Sequence, residues 1–191
     1  MPGCTLENAQ EGSAGSEVPK RSNAKPFTSL YHNNFLHDRS EDETLKILID
    51  VIRMRQEDVY NVEGDTMTGT IYNQEPTSEP AFRDFLRKAK TTPGFLLPWW
   101  TDEKTEECVR FGLRDNSFSL AAAQGKSNIQ EKWGDNQMPM KLRMLGEKVY
   151  GNTRGGTKSD AMLGMMMGME SGTGPAHTTN LDMGSLFRGT Q

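Results

Sequence analysis

Cys108 is the residue of this chain best suited to nucleophilic chemistry. Lys104 precedes it by four residues and Arg110 follows it by two, and nearby positive charge favours a thiolate. Glu106 and Glu107, two residues and one residue before it, oppose that effect. A cysteine so placed inside a helix reads as a small core hydrophobe. Asp102, Glu103, Glu106 and Glu107 offer carboxylates for acid–base work. They also fall in the first turns of an expected helix, where the dipole favours negative charge without any catalytic role. His32 and His37 are five apart, which does not bring both to one helix face, and His177 stands far along the chain. The two cysteines, Cys4 and Cys108, form no Cys-x-x-Cys pair and are too few for a Cys-rich zinc site. Neither a dinucleotide-binding glycine fingerprint nor a Walker-type loop is present. No catalytic residue, cofactor or metal site is therefore assigned, and a non-catalytic role is expected.

Aromatic residues form the strongest remaining pattern. Phe95, Leu96, Leu97, Trp99 and Trp100 crowd between Pro93 and Thr101, and Trp133 lies further along. Phe95, Leu97, Trp99, Trp100 and Trp133 are the candidate cluster, as core or as interaction surface. The core reading expects at least one of Trp99 and Trp100, with Trp100 preferred, to be buried against the Phe82/Phe85/Leu86 and Leu142/Leu145 helices. The surface reading expects an exposed ring.

The elements that must position this cluster are helical. No alternating β-branched run is present, whereas helical periodicity recurs. Ser40 and Glu43 form a capping box that opens a helix through Leu45, Leu48, Ile49, Ile52 and Val59, ending before Gly64. Pro80 starts a second helix with Phe82, Phe85, Leu86 and Ala89 on one stripe. Thr101 caps a third, with Trp100 packing near Thr105 and Gly112 loosening its end. Asn116 or Ser117 is expected to cap a short helix closing at Gly125. Ser127 and Gln130 suggest another capping box before Trp133. Met138, Leu142, Leu145 and Val149 mark a last helix that stops at Gly151. The fold class is all-α, a compact domain of five or six short helices.

Only 34% of the 191 residues are hydrophobic, low for a chain folded throughout. The deficit falls at the ends. Residues 1–26 are expected to be a disordered N-terminal segment, 27–150 the helical domain, and 151–191 a flexible Gly/Met-rich C-terminal tail. In that tail Met162, Met165, Met166, Met167 and Met169 cluster. They suit either a partner groove or a short helix lying on the chain's own domain.

Net charge is −4 with both signs interspersed, which argues against direct nucleic-acid binding. Lys20 with Arg21, and Arg83, Arg87, Lys88 and Lys90, read as solvated groups. No apolar run approaches a membrane span. The N-terminus shows neither a secretory nor a mitochondrial pattern. Two cysteines fit a reducing compartment, so a cytoplasmic or nuclear location is expected.

Several strings together resemble a known family. Leu36, His37, Asp38 and Arg39, then Arg53, Arg55, Glu57 and Asp58, precede Phe82, Arg83, Phe85 and Leu86. Leu96, Leu97, Pro98, Trp99 and Trp100 follow, then Met138, Pro139, Met140, Leu142, Arg143 and Met144. This order resembles the helical region after the zinc finger in fungal MYND-type zinc finger proteins, over most of 25–170. The finger's cysteine-rich zinc ligands are absent here, so no metal or peptide site carries over. The resemblance implies a helical module that accompanies a finger. The leading expectation is a protein-interaction module with an unidentified protein partner. The alternative is an enzyme or accessory factor binding a small molecule, in fungal secondary metabolism.

Overall fold

The computed structural model describes residues 24–151 and 159–173. The expected tails over 1–23, 152–158 and 174–191, with Cys4 and His177, lie outside the described residues. Among the described residues the chain forms seven α-helices and no strand. They are α1 (Pro26–Tyr31), α2 (Glu41–Asp58), α3 (Glu79–Thr91), α4 (Asp102–Arg114), α5 (Lys126–Trp133), α6 (Met138–Tyr150) and α7 (Ser159–Glu170). A π-turn over Val59–Glu63 extends α2, and a 3-10 turn spans Ile71–Asn73.

The helix α2 is the axis, packed against α6, α4 and α3. Its start is the expected capping box: Ser40 Oγ accepts from the Glu43 amide at 3.2 Å, and Glu43 accepts from the Ser40 amide at 3.4 Å. Apolar residues surround it on every side, with Ile47, Leu48, Ile49, Val51 and Ile52 all buried. Every residue from 43 to 54 is buried, so this stretch of the helix lies inside the fold. Charged residues are carried inside with it: Arg53 and Asp58 are buried as well. Phe82, Phe85 and Leu86 of α3, Val109 of α4, and Leu142 and Leu145 of α6 complete the core.

Four features differ from expectation. The helix count is seven, and α2 at 18 residues is not short. The helix α1 has no local capping signal, since Lys25 supplies no side-chain cap. The expected helix over 116–125 is a loop. Asp115 Oδ1 takes the amides of Ser117 and Phe118 at 2.8 and 2.7 Å, and Arg53 of α2 takes the carbonyls of Ser117 and Ala122 at 3.0 and 3.3 Å. Helix α5 opens on Gly125, two residues before Ser127, with no side-chain cap.

The domain also reaches beyond 150. The Met-rich segment forms α7, which packs on α1 and α6 with Leu163 and Met166 buried. Residues 159–170 are thus a docked helix rather than a flexible tail. Helix α6 stops at Gly151 in the left-handed region (φ 76°), which glycine enters without strain. No helix among the described residues is long and apolar enough to cross a membrane.

Candidate interaction surface

The connection from α3 to α4 is built from consecutive turns. The Phe95 amide donates to the Thr92 carbonyl at 3.2 Å, and the Trp100 amide to the Leu97 carbonyl at 3.0 Å. The α1 side clasps it from outside: Asn33 Nδ2 donates to the Pro93 carbonyl at 3.1 Å, and His37 Nε2 lies 3.0 Å from the Gly94 carbonyl. Held this way, the loop turns Phe95 and Leu97 inward, and Phe95 meets Phe85 edge to face at 6.4 Å. Those two members of the cluster belong to the core.

Trp99 and Trp100 are half-buried, with ring centres 5.8 Å apart. Neither reaches the full burial expected of the core reading, because the inward places are already taken by Phe95 and Leu97. Trp100 is fixed at its polar end: Nε1 donates to Thr105 Oγ1 at 3.0 Å. Thr101 Oγ1 caps α4 through the Lys104 amide at 3.2 Å. Leu96, Leu97 and Trp100 line a solvent-open groove of about 430 Å³, rimmed by Lys90, Thr101 and Asp102. Lys90 and Asp102 form an ion pair across the rim. Such exposed pairs contribute about 0–1 kcal/mol, so they fix charge pattern more than stability.

Trp133 is elsewhere. Its Nε1 donates to Asp50 Oδ2 at 2.9 Å, and its ring meets Phe118 at 6.0 Å. It belongs to a buried charge cluster not anticipated from the sequence. Asp50, fully buried, accepts from Arg53 Nη1 at 3.0 Å and from Lys132 Nζ at 2.7 Å. Lys132 also lies over the Phe118 ring at 4.0 Å. Burial lowers the pKa of Lys132 and of Arg53, outweighing the opposing pull of Asp50 in each. The cluster ties α2, α5 and the 115–125 loop together. The one local signal for it was an Asp and an Arg three residues apart within the apolar stretch from Ile47 to Met54.

No protein-family model, curated protein or solved structure matches the chain.

The residues that suggested chemistry are committed to structure. Cys108 is fully buried, its thiol 3.8 Å from the Leu45 carbonyl, and burial pushes its pKa up. A thiol held protonated is a poor nucleophile. Glu106 forms a two-pronged pair with Arg83 at 2.6 and 3.0 Å, which lowers its pKa. Glu107 pairs with Lys104 at 2.9 Å. His32 packs edge to face on Tyr31 at 5.2 Å. Among the described residues no group of three or more His, Cys, Asp or Glu is placed to hold a metal ion.

Proposed function

We propose that this chain is a non-catalytic helical protein-interaction module, of the kind that accompanies the zinc finger in fungal MYND-type proteins. In this reading it acts in the cytoplasm or nucleus and engages a protein partner through the groove that Trp100 lines, with Trp99 beside it. One observation carries the reading: a half-exposed tryptophan pair, its Trp100 ring anchored on Thr105, beside an open groove with a charged rim. Aromatic anchors inside a polar rim are the usual anatomy of a binding hot spot. The partner would present an apolar side chain to Leu96, Leu97 and Trp100, with polar groups meeting Lys90 and Asp102.

The alternative, binding of a small molecule, draws on the groove's volume of about 430 Å³, which falls within the ~300–1,000 Å³ of ligand pockets. Such pockets enclose most of the ligand, and this groove is open on one side.

Trp99→Ala and Trp100→Ala separate these readings from a purely structural role. Tagged wild type and variants are purified from the native cell and their bound proteins compared by mass spectrometry, beside thermal melts. The interaction reading expects folded variants that lose a specific partner kept by the wild type. Variants that retain every partner sink it. Loss of a co-purifying small molecule alone favours the alternative.

A further inference from the structure

Five methionines fall within the twelve residues of α7. On its inner face Leu163 and Met166 are buried, while Met162 and Met169 are half-buried against the core. Met162 and Met169 stand two helical turns apart, at either end of this stripe. Beyond Met169, the Glu170 carboxylate closes the contact. It accepts from the Phe27 amide at 2.8 Å, and from the Thr28 amide and Thr28 Oγ1 at 2.9 Å each. These amides open α1, whose own N-cap residue Lys25 supplies no side-chain acceptor. The first turn of α1 therefore depends on α7 staying in place.

We propose that α7 is an oxidation-sensitive strap: a peroxide converts Met162 and Met169 to sulfoxides, which releases α7 and uncaps α1. In each step the thioether sulfur gives an electron pair to one peroxide oxygen. An S–O bond forms and the O–O bond breaks. The sulfur is oxidised by two electrons, and hydrogen peroxide is reduced to water, its proton balance closed by solvent. The positions suit this sequence of events. Half-burial leaves Met162 and Met169 reachable, as it does Met165 and Met167, but only Met162 and Met169 of these four pack on the core; Met54 and Met144, at 1% and 0% exposure, are shielded within it. The seat on α1 and α6 is lined by apolar residues such as Phe27 and Leu30. A sulfoxide is polar where the thioether was apolar, so its oxygen loses water wherever it faces that seat, and this favours release of α7. Once α7 leaves, Glu170 goes with it, and the apolar side chains of α1 turn toward solvent. The modification thus acts on two helices from opposite ends of the described chain.

The test treats the folded full-length protein with dilute hydrogen peroxide, quenches with free methionine, and maps sulfoxides by peptide mass spectrometry. Hydrogen exchange is then read across α1 to α7. A double variant, Met162→Leu with Met169→Leu, keeps an apolar helix that cannot be oxidised at those positions. The expected result is sulfoxide at Met162 and Met169, with exchange in α7 and at Phe27 and Thr28 rising to that of unprotected amides while α2 and α6 stay protected. The double variant keeps its protection under the same peroxide. Three outcomes overturn the proposal: both sulfoxides form and protection is unchanged; Met162 and Met169 stay reduced while Met165 and Met167 oxidise; or the double variant loses protection equally. Release of α7 with Phe27 and Thr28 still protected refutes the coupling to α1.

Discussion

Replacing Asp50 by alanine tests the buried charge cluster most directly. Asp50 is fully buried, and its carboxylate accepts hydrogen bonds from Arg53, Lys132 and Trp133. Alanine leaves two cations with only the more distant pull of Asp115 to offset them, and leaves the Trp133 N–H without an acceptor. Breaking a buried ion pair from one side costs about 3–5 kcal/mol, and an orphaned buried donor about 1–3 kcal/mol. Two features pull the sum down. Arg53 retains the Ser117 and Ala122 carbonyls at 3.0 and 3.3 Å. The amine of Lys132 already has its pKa lowered by burial, so it can shed its proton more readily than an exposed lysine. The expected net loss is about 3–4 kcal/mol, at the lower end of that range for a broken buried pair. This is a large share of the roughly 5–15 kcal/mol that holds a domain. Urea unfolding at neutral pH measures it as a lowered midpoint at unchanged slope. Adding Lys132→Met to Asp50→Ala removes one stranded charge, so the double variant should be more stable than Asp50→Ala alone. A single-variant loss below about 1 kcal/mol, or a double variant no better than the single, would refute the view that Asp50 compensates these cations.

Two glycine substitutions should have opposite signs. A Cβ at Gly112 would stand 2.9 Å from Leu120 Cδ1 and 3.2 Å from Ile49 Cδ1, so Gly112→Ala should cost about 1–3 kcal/mol by overpacking. At Gly146 the nearest atom is Val51 Cγ1 at 3.4 Å, so Gly146→Ala should gain up to about 1 kcal/mol from helix propensity; chemical denaturation reads both. The Cys108 thiol is held protonated above its free value of 9.0. Above about pH 9 the unfolded chain then binds fewer protons than the folded one, and stability falls as pH rises, by about 1.4 kcal/mol per unit from this group. Tyr150, pushed up to about 12 by burial, adds to the loss above its ordinary value of 10.0, and Lys132, shifted down, opposes it. Subtracting the curve of Cys108→Ala from that of the wild type isolates the thiol, and a flat difference between about pH 9 and pH 10 contradicts its burial.

What the sequence disclosed was whatever adjacent residues decide among themselves. The Ser40 box, the Thr101 cap, Pro80 within the first turn of α3 and Gly151 at the end of α6 all act within a few residues, and each was legible. The misses share a different cause. Helix α1 takes its cap from Glu170, so its only local sign was Pro26 in its first turn, with no capping side chain at Lys25 to support it. The 115–125 segment has apolar residues at helical spacing, yet Arg53 of another helix takes two of its carbonyls. The tryptophan pair was legible as a cluster but not in its orientation, since the turns at Thr92 and Leu97 decide that Phe95 and Leu97 face inward. The docking of α7 depends on a seat made by α1 and α6, which its own methionines do not reveal.

The Glu170 cap also sets an order of assembly. The carboxylate and the amides that it holds are 142 and 143 residues apart in the chain. At roughly 5–20 residues per second, a ribosome needs of order ten seconds between making the two. Through that interval α2 to α6 can pair with neighbours already synthesised, a local process that closes short loops. Helix α1 has neither its cap nor its α7 neighbour, and too few residues to persist by itself. Phe27 and Leu30 are then apolar side chains awaiting a site, the kind of exposed segment that a holding chaperone grips. The first described helix to leave the ribosome is the last to be completed.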